Sequence, residues 1–472
     1  MSDLRDFVIE NGVLKKYNGS GGQVVIPDGV TKIAAGTFFN RKDLTAVSIP
    51  ESVEEIEQKV FYNCESLQII NLPKNLRSIG FAAFKGCKGL ASNDDFVIFN
   101  NILFDYFGEE TSIKIPDGIS VISSNAFEGN KQLTSITMPD SVTTIEFASF
   151  YNCKNLEALN LPNSISIIED YAFKGCEKLA DSEGFVVVNN VLFDYLGDNI
   201  DISIPENVEV IGNSVFEDSK KLNSVVMPNS VKVIGEKAFK NCKKLTSIDL
   251  SSEIVSIGNE AFYECNKLSS IILPQGLTEI GYLAFSYCNA LTEIIVPNNL
   301  ACIKRGTFSS CKKLFSVVIP ESVTEIEYEA FRECEKLKSV VIPESVETIG
   351  SSAFQYCKGL ESVTIGNNTK IASKAFSNCN KLGDANGLII INNILFGYSR
   401  NKRSYSIPYG ITTIENEAFY LCEKLEEVYI PETVTSIHKF AFEWCPKFTI
   451  YAPAGSYAEQ YAKEKSIPFA EE

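Results

Sequence analysis

One spacing dominates this chain: a phenylalanine set among other apolar residues returns about every 23 residues, sixteen times. The unit from Ile319 to Val341 is typical, with Ala330-Phe331 and Cys334 at its centre and Leu337-x-x-Val340 near its end. A unit this short cannot bury its apolar residues alone, so neighbouring units must stack into a solenoid with a continuous core. The recurrent phenylalanines are Phe38, Phe61, Phe84, Phe127, Phe150, Phe173, Phe216, Phe239, Phe262, Phe285, Phe308, Phe331, Phe354, Phe376, Phe419 and Phe442.

Within a unit, the apolar pattern changes from one side to the other. Residues 337–342 end in alternation, which favours a short strand, and Pro343 ends it because proline lacks an amide N–H. The same proline position recurs along the chain, with Ser251 in its place in one unit. Residues 329–334 contain no β-branched residue and suit a short helical turn on the opposite side. We therefore predict an α/β repeat solenoid of about sixteen 23-residue units.

Two strings carry a family resemblance: IPESVTEIEYEAFRECEKLKSVVIP and MPNSVKVIGEKAFKNCKKLTSIDL. They resemble the BspA-like, or Treponema-pallidum-type, class of leucine-rich repeats, and the likeness covers nearly the whole chain. The resemblance implies a right-handed superhelix with parallel strands on its concave face and short helical turns on its convex face. It also implies an adhesion or surface-interaction protein, since many members are secreted or lie at the cell surface. The family pattern contains no catalytic residues.

Extra segments interrupt the repeats, and each places Asn-Asn or Asn-Gly between two apolar runs, which predicts a β-hairpin. These hairpins are either structural punctuation or protruding recognition loops. Ser456 and Glu459 form a capping box that predicts a C-terminal helix covering the last coil. We divide the continuous solenoid into 1–94 (a hairpin and three repeats), 95–183 (a hairpin and three repeats), 184–386 (a hairpin and eight repeats), 387–450 (a hairpin and two repeats) and a cap, 451–472.

Composition argues against several functional classes. The net charge is −17 and no basic block occurs, so we expect no nucleic-acid partner. No apolar run reaches the roughly 18 residues of a membrane span, so we expect no membrane insertion. The first six residues lack the apolar region of a signal peptide, which leaves both a cytoplasmic and a surface location open. His438 is the one histidine, and no glycine-rich phosphate loop follows a strand. We expect no catalytic residues, no cofactor and no metal site.

Fourteen cysteines invite a disulfide or metal interpretation, but their positions favour another. Thirteen of them share one position of the repeat, as Cys265 and Cys334 do, and no Cys-x-x-Cys pair occurs. A ladder at one core position is typical of cysteine used as a small buried apolar residue. Cys302 alone stands outside the ladder, where neighbouring units have Glu325 or Thr348, and we expect it to be exposed and quick to react.

Because side chains alternate along a strand, the sequence also predicts which strand residues face outward. The first outward column comprises Val226, Asp249, Ile272, Ile295, Val318, Val341 and Thr364, and the second comprises Ser224, Ser247, Ser270, Glu293, Ser316, Ser339 and Ser362. Four consecutive apolar members of the first column are either a contact patch or β-branched residues that simply suit a sheet surface.

The function that we predict is non-enzymatic protein binding through this concave strand face, by a monomer whose protein partner the sequence does not identify. The alternative is a structural spacer without a specific ligand. The candidate binding residues are Ser270, Ile272, Glu293, Ile295, Phe315, Ser316, Val318, Ser339 and Val341.

Overall fold

Each repeat forms one coil, and most of the described coils contain two short parallel strands. In the coil that opens at residue 339, Ser339–Val341 pairs with Ser362–Thr364 of the next coil, and Thr348–Ile349 pairs with Lys370–Ile371. The first strand is the predicted one. The second, two-residue strand was not predicted. The computed structural model describes residues 4–366 and 368–472, and over them the fold is the predicted solenoid of parallel strands with little helix.

The chain divides into two compact units, Met1–Gly197 and Asp198–Glu472. In the first unit, the first strands of the coils are Gly22–Val25, Leu44–Ser48, Ile69–Asn71, Ser112–Lys114, Ser135–Thr137 and Ala158–Asn160, and the second strands are Lys32–Ile33, Glu55–Ile56, Ser78–Ile79, Val121–Ile122, Thr144–Ile145 and Ile167–Ile168. Its hairpin strands are Phe7–Glu10 with Val13–Tyr17, Phe96–Phe99 with Ile102–Tyr106, and Phe185–Val188 with Val191–Tyr195. Its 3-10 turns are Leu4–Asp6, Lys88–Leu90 and Glu177–Leu179.

The second unit is built in the same way. Its first strands are Asp201–Ser203, Ser224–Val226, Ser247–Asp249, Glu293–Ile295, Ser316–Val318, Ser339–Val341, Ser362–Thr364, Ser404–Ser406, Glu427–Tyr429 and Thr449–Ala452. Its second strands are Val210–Ile211, Val233–Ile234, Ser256–Ile257, Glu279–Ile280, Cys302–Ile303, Glu325–Ile326, Thr348–Ile349, Lys370–Ile371, Thr413–Ile414 and Ser436–Ile437. A hairpin (Leu388–Ile391, Ile394–Tyr398), a 3-10 turn (Asn380–Leu382), a helix (Tyr457–Lys465) and a last strand (Phe469–Glu471) complete it.

The side of the coil opposite the first strand is made of hydrogen-bonded turns. Glu329 and Glu333 have φ values of 56° and 61°, and this left-handed backbone interrupts the short helical turn that the sequence suggested. In exchange, the amide of Phe331 donates to the carbonyl of Ala353 in the next coil, at 2.8 Å. The left-handed residues therefore point backbone N–H groups toward the next coil. Hydrogen bonds between coils thus hold the turn side together, as they hold the strands together.

The recurrent phenylalanines form the centre of the core, as predicted, and all sixteen are buried. Neighbouring rings stack almost in parallel: the Phe308 and Phe331 centroids are 5.4 Å apart, and those of Phe331 and Phe354 are 5.2 Å apart. Offset stacking at this separation is favourable in addition to the apolar area that it buries. The phenylalanine at this one position of the repeat thus fills the core, and its stacking aligns each coil with the next.

The predicted hairpins are present, and they are packed onto the coils. Asn100 and Asn101 have φ values of 48° and 61°, as a tight hairpin turn requires. The inner strand pairs in parallel with the next coil, through Ile102 and Val121, and so replaces the second strand of a coil. Phe104 meets the last ring of the preceding stack edge-on, at 5.2 Å from Phe84. This packing favours the interpretation of the hairpins as structural punctuation.

The C-terminal helix begins at the expected capping box. The Ser456 side chain accepts a hydrogen bond from the amide of Glu459, at 3.3 Å, and the Glu459 carboxylate accepts one from Gly455, at 2.6 Å. Tyr461 and Ala462 are buried against the last coil, whereas Tyr457 is exposed. The helix therefore covers apolar surface at the end of the solenoid through its Tyr461 side.

Candidate binding face

The coils from residue 270 to residue 341 expose an apolar column, as the alternation predicted. Ile295 is 62% exposed and Val318 is 52% exposed. Ile294 and Val317, which directly precede them in their strands, are buried. Ile272 and Val341 are exposed as well. Large β-branched side chains thus stand in solvent on one side of each strand and fill the core on the other.

Regular pairing joins some of these residues and not others. Ile295 lies directly beside Val318, and Glu293 beside Ser316, in one two-stranded sheet. Ser339 and Val341 belong to another sheet, together with Ser362 and Thr364. The structure therefore places Glu293, Ile295, Ser316 and Val318 together as cross-strand neighbours, and Ser339 and Val341 follow in the next coil.

Ser270 and Ile272 lie in a segment that does not pair as a strand with the neighbouring coils. Residues 269–274 form no strand, although the coils on both sides do. The irregularity follows the unit in which Ser251 replaces the recurrent proline, and the Ser251 hydroxyl there accepts a hydrogen bond from the amide of Glu253, at 3.0 Å. A cavity of about 480 Å³ lies between the two coils, lined by Asp249 and Ile272 among others. Alternation predicted the exposure of Ile272 but not this cavity.

Phe315 lies directly before one of these strands. Its amide donates to the carbonyl of Thr292, at 2.9 Å, so its backbone is held in register although its ring is partly exposed. Leu314 before it is fully buried. Phe315 thus adds an exposed aromatic ring beside the Ile295 and Val318 pair.

A family model decides what kind of chain this is. The model of the BspA type leucine rich repeat region matches residues 9–96, 97–183, 186–314, 255–383 and 389–459. The chain belongs to this family. The resemblance seen in its repeat strings is thereby confirmed.

Solved structures similar to this BspA type chain come from several bacteria. A leucine rich repeat protein of T. pallidum is 28% identical, over 41% of this chain and 83% of that chain, with a TM-score of 0.32. A leucine rich cell surface protein of Faecalibacterium prausnitzii is 25% identical, over 76% of this chain and 92% of that one, with a TM-score of 0.29. The pneumococcal vaccine antigen PcpA is 19% identical, over 77% and 95%, with a TM-score of 0.30. No curated protein matches the chain. In the part of the chain that the structure describes, no helix is long and apolar enough to cross a membrane.

The cysteine ladder of this BspA type chain has a polar partner that sequence analysis missed. The Sγ atom of Cys265 donates a hydrogen bond to the carbonyl of Phe239 in the preceding coil, at 3.2 Å, and most other ladder thiols repeat this contact. In three of the four coils that follow a hairpin, the ladder position holds Arg41, Asn130 or Ser219 instead. Burial raises the pKa of the Cys265 thiol well above its ordinary value. Twelve of the thirteen ladder cysteines are buried, as predicted, and Cys445 is half-buried. At this position the thiol of a cysteine such as Cys265 caps a backbone carbonyl.

Cys302 differs from its predicted environment. It is half-buried, and its Sγ lies 3.5 Å from a carboxylate oxygen of Glu327. Burial, and then the carboxylates of Glu327 and Glu325, raise the pKa of the Cys302 thiol to about 12. The Cys302 sulfur and one carboxylate oxygen each of Glu325 and Glu327 lie within 4.8 Å of one another. The 23-residue step from Cys302 to Glu325 was a signal for the pairing of these two residues, and Glu327 lies two residues further along the same segment.

The turn side presents tyrosines that sequence analysis did not single out. Arg305 lies over the ring of Tyr328, at 5.6 Å, and Lys240 lies over that of Tyr263, at 5.3 Å. In both pairs the two residues are 23 positions apart, so the repeat length explains the contact. A cation from the preceding coil thus covers one face of each ring, and these pairs stabilise the stacking of coils.

Proposed function

We propose that this chain is a non-enzymatic protein-binding module that acts in adhesion or another surface interaction. Its partner would contact the first-strand face of the second unit, at Ser270, Ile272, Glu293, Ile295, Phe315, Ser316, Val318, Ser339 and Val341. The observation that carries the proposal is the direct pairing of Ile295 with Val318, both with more than half of their surface in solvent.

An exposed pair of this kind has the properties of a binding anchor. Apolar side chains that lose water on association contribute most of the affinity when polar groups surround them. Here Glu293 and Ser316 form a second pair on the same face, two residues before the apolar pair along each strand. Phe315 extends the patch with an aromatic ring, a residue type enriched in the centres of interfaces. Backbone pairing holds these groups in place before a partner arrives.

The charge of the chain indicates what the partner offers. With a net charge of −17, the chain attracts proteins with a basic surface and repels acidic ones. Attraction between exposed charges is screened by salt over about 8–10 Å at physiological ionic strength. The partner is therefore expected to be basic near its contact surface, and the association rate is expected to fall as salt is added.

A double substitution tests this surface. Ile295→Asp with Val318→Asp adds two charges to outward-facing positions and leaves the buried neighbours unchanged, so the variant should fold. Its saturable binding to basic proteins immobilised on a sensor should fall at least about ten-fold, since each of the two lost anchors costs more than about 1 kcal/mol.

The matched control is Val226→Asp with Thr364→Asp, which adds the same charge to the same column outside the patch. Circular dichroism and thermal melting establish that both variants are folded. Equal loss of binding in the two variants would mean that charge rather than this patch is responsible. Undiminished binding of the first variant would reject the patch and leave it as sheet surface, whereas absence of saturable binding by the unmodified chain would favour the structural spacer.

A further inference from the structure

Two of the hairpins are joined to the preceding coil by a buried aspartate. Asp105 is only 2% exposed, and its carboxylate accepts hydrogen bonds from the amide of Gly86, at 2.8 Å, and from Nζ of Lys85, at 3.0 Å. Asp194 occupies the same place in the next hairpin and accepts a hydrogen bond from the amide of Gly175, at 2.9 Å. In both hairpins, the carboxylate fills the space between the hairpin and the turn before it.

The hairpin of residues 388–398 lacks this aspartate. Gly397 stands where Asp105 and Asp194 stand in the strings LFDY and LFGY, and Asn378 replaces the glycine of the preceding turn. A cavity of about 450 Å³ lies at this place, a volume within the range of small-molecule sites. A Cβ atom built on Gly397 would come no closer than 3.6 Å to any neighbour, so the fold has room for a side chain here.

The walls of the cavity consist of aromatic and amide groups. Tyr356, Tyr398 and Tyr420 line it together with Asn378, Asn380 and Asn401. The Tyr398 hydroxyl donates to the carbonyl of Tyr420, at 3.1 Å, and holds the two segments together. Tyr420 itself is exposed and offers its ring to a ligand. The side-chain oxygen of Asn401 accepts from the amide of Lys424, at 3.3 Å, which fixes the orientation of its NH₂ group.

The charge of the cavity is balanced. Glu417 is the acidic residue among the lining groups, and its carboxylate lies 2.6 Å from Nζ of Lys374. With that charge paired, the groups left for a ligand are amides, hydroxyls and ring faces. Amides donate and accept hydrogen bonds, as the hydroxyl groups of a sugar do, and a tyrosine ring accepts the apolar C–H face of a pyranose.

From this arrangement we propose that the cavity at Gly397 is a binding site for a neutral sugar residue of a glycan. The Tyr420 ring would pack against the sugar ring, and the amides of Asn378 and Asn401 would bond its hydroxyl groups. The site is separate from the protein-binding face proposed above and does not depend on it.

The test is a microarray of neutral, sialylated and sulfated oligosaccharides probed with the fluorescently labelled full chain. Saturable binding to neutral glycans is expected. Gly397→Asp introduces the carboxylate found in two of the other hairpins and should lower that binding at least ten-fold. Tyr420→Ala should lower it similarly by removing the exposed ring. Tyr409→Ala, at a tyrosine that is 77% exposed and lies outside the cavity, is the matched control and should bind as the unmodified chain does.

Three outcomes would overturn the proposal: no binding to neutral glycans, binding confined to the anionic ones, or unchanged binding by Gly397→Asp of unaltered melting temperature. If Gly397→Asp does not fold, Tyr420→Ala decides in its place, because its side chain is at the surface. Equal loss in Tyr420→Ala and Tyr409→Ala would also reject the cavity as the site.

Discussion

At the scale of single residues, the neighbours of a thiol decide its chemistry. Cys265 meets a backbone carbonyl at 3.2 Å in the buried core, whereas the half-buried Cys302 meets the carboxylate of Glu327 at 3.5 Å. Both environments disfavour the thiolate, the first through burial and the second through burial and negative charge. A reactive cysteine needs an accessible thiolate. Exposure at a variable repeat position was therefore the wrong basis for expecting fast reaction at Cys302.

The rate at which iodoacetamide alkylates Cys302 should report this raised pKa. Because the pKa is about 12, the thiolate fraction at pH 8 is small, and alkylation should be on the order of a thousand-fold slower than at an unperturbed thiol of pKa about 8.5. The rate should climb with each pH unit up to about pH 11, which peptide mass spectrometry can follow. Glu327→Gln should speed the reaction, since the amide keeps an acceptor for the Arg305 backbone and removes the charge. A midpoint near pH 8.5 would contradict the structure.

At the scale of elements, the hairpins show how this chain interrupts a stack of coils without exposing the core. The inner hairpin strand continues the parallel ladder, and an aromatic ring closes the phenylalanine stack edge-on. The Asn-Asn turns could be predicted from the sequence. Two successive residues with left-handed backbone are needed in such a turn, and asparagine tolerates that conformation better than most residues. The docking contact was not readable, because Asp105 and Gly86 are far apart in sequence and an aspartate in an apolar run suggests exposure.

Removing that docking contact should loosen one hairpin. Asp105→Ala removes the carboxylate that Lys85 and the Gly86 amide share, and breaking a largely buried ion pair costs about 3–5 kcal/mol. Hydrogen exchange should accelerate in residues 96–106 and in the turn at residue 86. Asp117→Ala is the control, because Asp117 forms an exposed ion pair with Lys114 and should cost no more than about 1 kcal/mol. Similar exchange in the two variants would rule out a docking role for Asp105.

At the scale of the whole molecule, sixteen copies of one unit explain what the sequence could predict. Phenylalanine occupies the position of Phe331 in all sixteen units, so its burial was predictable from the sequence. Two-residue strands such as Thr348–Ile349 are too short to show alternation, and the left-handed backbone at Glu329 is set by bonding to the next coil. The exposure of Ile295 followed from alternation. The break at residues 269–274 did not, because it depends on pairing between coils. The binding role of this face and the four-module division stay predictions.

A solenoid should also respond to damage locally, since each coil contacts only its neighbours. Phe331→Ala removes a buried ring that stacks on Phe308 and Phe354 and should cost about 3–5 kcal/mol. Hydrogen-exchange protection should therefore fall in the coils containing residues 308–354 and change little elsewhere in the second unit. Phe315→Ala makes the same chemical change at a partly exposed ring and should cost much less. Uniform loss of protection along the chain after Phe331→Ala would contradict nearest-neighbour stacking, because it would require the coils to unfold together.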